Sequence, residues 1–279
     1  VTKGGWREIY RSASAFEAAA ADARRVAQGY GLDVGIEDGQ ALALAEPALQ
    51  QSLAGAVHWR DPWAISDPGE LVARYAKLFV QRGGQLQHGD AGTLAANGAG
   101  WSVKTQDGIV NAAQAVIALG PWADAMTQRL GYKLPLFVKR GYHRHYALAK
   151  PVHSPMLDTD NGMVLAPMAL GLRLTTGAEF AHIDAPATPV QLVRAEQAAR
   201  ELVDLGAPVE ATPWLGARPC TVDMLPVIGP APQHKGLWFN FGHAHQGFTL
   251  GPATGRLLAE MMHGETPYID PAPYRADRF

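Results

Sequence analysis

What most restricts the fold of this chain is the order of elements in residues 214–262, WLGARPCTVDMLPVIGPAPQHKGLWFNFGHAHQGFTLGPATGRLLAEMM. It reads as a strand carrying an arginine, a Pro/Gly turn, a return strand, a glycine-bracketed run and one amphipathic helix. The run GHAHQGFTLG places Gly, His and small polar residues directly before that helix. A helix start leaves backbone N–H groups unpaired and carries the positive end of the dipole, so it favours an anion or an electron-rich ring. A cofactor is expected there. Leu250, Leu257, Leu258 and Met261 form the apolar stripe that would seat the helix on a core.

The rest of the chain supplies the other elements. Trp6 to Arg11 alternates like a strand, and Ser14 to Gln28 reads as a helix with Ser14 as N-cap and Glu17 completing a capping box. Residues 37–48 read as a second short helix closed by Glu46-Pro47. Residues 58–66 read as extended, and 69–81 as a helix with proline at its start and Gly83-Gly84 at its end. Residues 85–88, 100–105 and 113–119 read as strands separated by turns. Residues 133–153 read as two strands with a turn at Arg140-Gly141. Residues 163–167 and 172–177 read as a hairpin, and 189–204 as a helix.

Composition narrows the class. The chain has 279 residues, 47% of them hydrophobic and 18% charged, as in a folded globular protein. A net charge of −2 gives no nucleic-acid footprint. The single cysteine, Cys220, excludes an intrachain disulfide and suggests a reducing compartment. No apolar run is long enough for a membrane span.

Four phrases then carry a family likeness. VIALGPWAD at 116–124, GARPCTVDMLPVIG at 216–229, LWFNFGHAHQGFTLGPATGRLLAEMM at 237–262 and IDPAPYRADRF at 269–279 together resemble the FAD-dependent D-amino-acid dehydrogenase/oxidase superfamily. The nearest likeness is to bacterial D-amino-acid dehydrogenases and their glycine- and sarcosine-oxidase-like relatives. The resemblance covers the chain from end to end. It implies an α+β fold in which a glutathione-reductase-like FAD domain, incomplete here, interleaves with an antiparallel substrate-domain sheet. Residues 1–62 and 133–212 would belong to the substrate domain, and 63–132 and 213–279 to the FAD domain. It also implies FAD as cofactor, an amino-acid substrate, oxygen or a quinone as electron acceptor, and a homo-oligomer as one option. A cytoplasmic or peripheral inner-membrane location would follow.

One departure stands out. The family opens with a strand, a Gly-x-Gly-x-x-Gly turn and a helix that hold the FAD pyrophosphate. This sequence has no such spacing: Gly29/Gly31 and Gly98/Gly100 each lack the third glycine. The chain is therefore expected to be a truncated form of its parent enzyme, inactive alone.

The resemblance assigns roles residue by residue. Arg218 matches the family's GxRP arginine, which binds the substrate carboxylate; a guanidinium offers two parallel donors to a carboxylate. The alternative is a structural ion pair with Asp223. His245 falls where glycine-oxidase-like relatives carry a second substrate-facing arginine, and is expected to line the pocket. Gly242, His243, Gly247, Phe248 and Thr249 would face the flavin, mostly through backbone. Ala118, Gly120 and Trp122 match a family turn beside the flavin. Gly92 sits where relatives place a residue, often valine, whose backbone contacts the adenine end; glycine here departs from that habit. Tyr142 and Met163 are pocket candidates, with core packing the better-supported reading of each.

Other readings have less support. The pairs His143/His145 and His243/His245 could each offer two imidazoles to a metal, but no complementary ligand cluster accompanies them, and no metal is expected. Cys220 reads as packing in preference to a flavin attachment point. The expected reaction is oxidative deamination of a D-amino acid by hydride transfer to flavin N5, with sarcosine- or glycine-oxidase-like amine oxidation as the alternative. A non-catalytic partner subunit is the alternative from outside enzymology.

Overall fold

The computed structural model describes residues 1–98 and 100–279. Among them are six α-helices: α1 Ala13–Tyr30, α2 Gly39–Ala45, α3 Pro68–Gln81, α4 Ala123–Arg129, α5 Val190–Leu202 and α6 Gly247–His263. Helix and strand are mixed throughout, as in an α+β protein. The chain divides into two compact units. The first holds residues 1–77, 141–178 and 186–216, and the second residues 78–140, 179–185 and 217–279.

The first unit is built on a mainly antiparallel sheet. Its strands run Leu205–Pro208, then the C-terminal part of Leu136–Leu148, then Gly171–Thr175, Met163–Met168, Met156–Asp158, Trp6–Tyr10, Gly55–Trp59 and Val34–Asp38. Strand alternation puts Tyr142, Tyr146, Leu172, Leu174 and Leu165 on one face, where they bury Leu192, Ala195, Ala199 and Leu202 of α5. Those four positions recur at helical spacing, which is why α5 forms where the sequence predicts it. A buried ionic knot ties the other end of this sheet: Arg7 donates to Glu37 at 2.7 Å and to Glu46 at 2.9 Å. Glu46, fully buried, also accepts from the Ser154 and His153 backbone amides.

In the second unit a three-stranded sheet, Val227–Pro230, Leu237–Phe241 and Ala115–Ile117, is covered on both faces. Phe239, Phe241, Leu237 and Ile117 pack with Trp101, Met126 and Tyr132 on one side. On the other, Ile228 and Trp238 receive Leu257, Leu258 and Met261 of α6. An antiparallel meander, Gly89–Asn97, Gly100–Thr105 and Gly108–Ala112, adds Trp101 to this core.

Several expectations are corrected. The cap of α1 is Ser12, whose hydroxyl accepts from the Ala15 amide, so Ser14 lies inside the first turn. Residues 37 and 38 end a strand, and Asp38 caps α2 through the Ala41 amide. The first meander strand starts at Gly89, beyond residues 85–88, and Gly108–Ala112 is an additional strand. Leu136–Leu148 is one unbroken strand of 13 residues. Arg-Gly there is not a turn, because it lies inside this strand and Arg140 pairs with Glu179. The helix α3 forms where the sequence places it, one residue longer at its start, and none of its residues is buried.

Candidate functional site

The strand Trp214–Thr221 places Arg218 half-buried, with Nη1 donating to the Arg140 carbonyl at 3.4 Å. Burial pushes its guanidinium pKa downward, which marks the energetic demand for an anion. Asp223 is not positioned as its ion-pair partner in the way the alternative reading supposed: both Asp223 oxygens are taken by Arg278, at 2.8 and 3.2 Å. That contact holds the Asp223 carboxyl at a pKa of about 2.

Two residues along the same strand, Cys220 forms a backbone bridge with His243. The arginine strand is thereby fixed to the glycine-bracketed run before α6. Cys220 is fully buried, and burial raises its thiol pKa, as expected for packing and not for chemistry. The run itself is strained: Gly242 has φ +83° and the buried Ala244 has φ +51°. A left-handed alanine is uncommon and points to a backbone held by its surroundings. Nothing in the sequence marks Ala244, because alanine has no preference for that region.

The imidazole of His243 has a defined proton. With Thr254 donating its hydroxyl to the Leu250 carbonyl at 3.0 Å, its oxygen is left to accept from His243 Nε2, 3.0 Å away, which assigns the ring proton to Nε2 in this arrangement. Burial lowers the His243 pKa and keeps the ring neutral. Its side chain is thus spent on α6, leaving its backbone at the site. Gly247, Phe248 and Thr249 form the exposed first turn of α6, and no side chain caps that end. His245 is exposed beside them, with Nε2 at 3.1 Å from the Gln246 amide.

Two cavities meet at Trp122. The larger, about 560 Å³, is lined by Gly120, Pro121, Trp122, Phe137, Phe180 and Pro219 among others. The smaller, about 310 Å³, joins Trp122 to Gly92, Leu119 and Arg129. Trp122 is 67% exposed. Gly92 lies where the strand register shifts between Asp90 and Ala95, and its carbonyl accepts from Arg129. Gly120, at φ +53°, opens the 3₁₀ turn that exits the strand Ala115–Ile117, with Ala118 exposed between them.

Tyr142 and Met163 lie elsewhere, in the apolar core of the first unit. The Tyr142 hydroxyl accepts from the Thr188 amide at 2.7 Å. Sequence reasoning missed Lys139, Arg140, Glu179 and Phe180, since reading Arg140-Gly141 as a turn hid the strand pairing that gathers them. Among the described residues no group of three His, Cys, Asp or Glu side chains is placed to hold a metal. His145, of the His143/His145 pair, is instead engaged by Glu210 at Nδ1 and by Arg173 at Nε2. No helix among the described residues is long and apolar enough to cross a membrane.

Residues 1–261 match the family described as FAD dependent oxidoreductase (DAO). The chain belongs to that family. It is similar to a glycine oxidase of Pseudomonas putida, 28% identical over 225 residues, covering 80% of this chain and 60% of that protein. It is also similar to a D-amino acid dehydrogenase of Granulibacter bethesdensis, 29% identical over 93% of this chain and 64% of the relative. The chain therefore spans less than two thirds of the length of these curated relatives. Among solved structures, glycine oxidase from Geobacillus kaustophilus superposes with a TM-score of 0.85 and 26% identity, covering all of this chain and 75% of that one.

Proposed function

We propose that this chain carries the substrate-clamping and flavin-facing parts of an FAD-dependent oxidoreductase that deaminates a D-amino acid. The observation that carries this reading is the backbone bridge between Cys220 and His243, which links a half-buried arginine to an uncapped helix start. An amino-acid carboxylate needs the first, and an electron-rich ring needs the second.

The residues present fit FAD. Asn240 Oδ1 is buried without a donor among the described residues, as suits a ligand rich in hydroxyl groups. A side chain added at Gly120 would meet only open space, so this turn leaves room for a ligand. Gly242, Gly247, Phe248 and Thr249 would hold the ring end, Gly120 and Trp122 its neighbouring chain, and Gly92 the far end. FAD bound there would supply a hydride acceptor for the substrate α-carbon, giving an imine that water hydrolyses to a keto acid and ammonia.

Arg218 fixes the carboxylate and so orients the α-carbon; positioning of this kind accounts for a large part of such a barrier. His243 Nε2–H is committed to Thr254, so this ring serves as a strut and not as a base. Trp122 and Phe180 line the cavity with aromatic surface. The glycine oxidase name of the Pseudomonas putida relative supports the alternative of glycine or an N-methyl amino acid as substrate.

The test is to titrate this chain, joined at its N-terminus to a Gly-x-Gly-x-x-Gly FAD-binding unit, with FAD, following quenching of flavin fluorescence, and then to add D-amino acids, glycine and sarcosine anaerobically. Bleaching of the flavin absorbance by a D-amino acid supports the reading. Bound flavin that no amino acid bleaches, or no flavin binding at all, overturns it for this chain.

A further inference from the structure

The first unit holds a cavity of its own. Its volume is about 400 Å³, and it is walled by the turn at residues 160–162, the strand end at residues 176–178 and the first turns of α5 at Gln191 and Arg194. That size suits a small molecule. Its walls are set by the protein and do not depend on a ligand to shape them. Asp158, 1% exposed, accepts from the Asp160 and Asn161 amides at 3.1 and 3.2 Å and pairs with Arg11 at 2.9 Å, which ties the turn to a buried carboxylate. Gln191 Nε2 donates to the Ala178 carbonyl at 2.8 Å, which ties α5 to the strand end.

The polar groups of this cavity have unmet demands of both signs. Arg194 and Asp160 both line it, yet among the described residues neither forms an ion pair, with the other or with a third group. Opposite charges that line one cavity without meeting are complementary to a molecule that carries both. Gln191 Oε1 is buried without a donor among the described residues. A buried acceptor in that state is costly and calls for an N–H or O–H. The helix α5 starts without a side-chain cap and has no acidic residue in its first turn, so its dipole adds to the positive potential around Arg194.

We propose that this cavity is a second amino-acid site, which binds the zwitterion of a free α-amino acid and takes no part in the redox step. The α-carboxylate engages Arg194 at the start of α5 by a charge-assisted hydrogen bond. The α-ammonium engages Asp160 and, after a small turn of the side-chain amide, Gln191 Oε1. A simple carboxylate or a simple amine meets only one of the two charges. Occupancy joins the 160–162 turn to α5 and so stabilises the first unit. The inference does not rest on Arg218, which belongs to the second unit.

NMR titration of the backbone amides with alanine, propionate and ethylamine, which keep one carbon stem and differ in the charges they carry, tests this without requiring turnover. Alanine should shift the Gly162 and Gly177 amides and bind there about tenfold more tightly than either single-charge analogue, the effect of one charged contact. Arg194→Gln and Asp160→Asn, both at exposed positions, should each remove that advantage, with thermal melting confirming that the variants fold. In Arg218→Ala the response at the two glycines should persist. No shift at these glycines, an equal response to propionate or to ethylamine, or an advantage unchanged in either cavity variant overturns the inference. A response that disappears in Arg218→Ala overturns it as well, because alanine would then be acting from the clamp and not from this cavity.

Discussion

Cys220 and His243 are joined by a backbone bridge, and that bridge registers the strand of Arg218 against the strained turn that leads into α6. The proposed substrate clamp and cofactor cradle are thereby fixed to one another by main-chain hydrogen bonding. Side-chain substitutions around them should tune affinity without displacing the pair.

Replacing the clamp is the most direct test of the site. Arg218→Ala should weaken carboxylate binding by about 1.5–3 kcal/mol, or about ten- to a hundredfold, as expected for a charge-assisted pair. Arg218→Lys should recover only part of this, because an ammonium lacks the planar fork. Calorimetry with a simple carboxylate reads both variants. Equal affinities in all three proteins would remove Arg218 from the site.

The His243 strut should be measurable as stability. Thr254→Val keeps the shape of the side chain and removes the acceptor for His243 Nε2. A buried imidazole N–H left without a partner costs about 1–3 kcal/mol. Chemical denaturation should show a loss of that size, and the ring's NMR signals should lose their single fixed tautomer.

Acid should weaken the first unit through His143. Burial, followed by the nearby Arg173 and His145, pushes its pKa from the usual 6.5 down to about 4, while Glu210 opposes the shift. The unfolded chain binds this proton more readily than the folded one, so stability is complete above pH 6.5 and falls as pH drops toward 4. The loss should not exceed about 3 kcal/mol from this group. His143→Phe retains the ring that stacks on Trp214 at 4.6 Å and should flatten this part of the pH–stability curve. A curve of unchanged slope would assign the acid sensitivity to other groups.

The Arg7–Glu46 knot is the most vulnerable polar feature of the first unit. Arg7→Met leaves the fully buried Glu46 carboxylate without its cation. Breaking one side of a buried pair costs about 3–5 kcal/mol. Arg7→Met together with Glu46→Gln should recover part of this, because no uncompensated charge remains. Denaturation midpoints of the single and double variants measure the difference.

Much of the fold could be read from local pattern. The stripe on α5, the glycine stop after α1 and the glycine-bracketed run before α6 are each set by residues close in sequence, where helical spacing and backbone freedom act directly. Residues 133–153 misled because Arg140-Gly141 has the local chemistry of a turn. Its pairing partner, Glu179, is 39 residues away and exerts no local signal.

The candidate site divides along the same line. Arg218 and the run from Gly242 to Thr249 were visible because an arginine on an apolar strand and a glycine-rich helix start have chemical meaning by themselves. The assignment of His243 Nε2 to Thr254, the strain at Ala244 and the meeting of Lys139 with Phe180 were decided only by tertiary structure. Each depends on which backbone segments lie side by side. That choice is made by burial and strand pairing across the whole chain, where one added pairing partner outweighs any local preference.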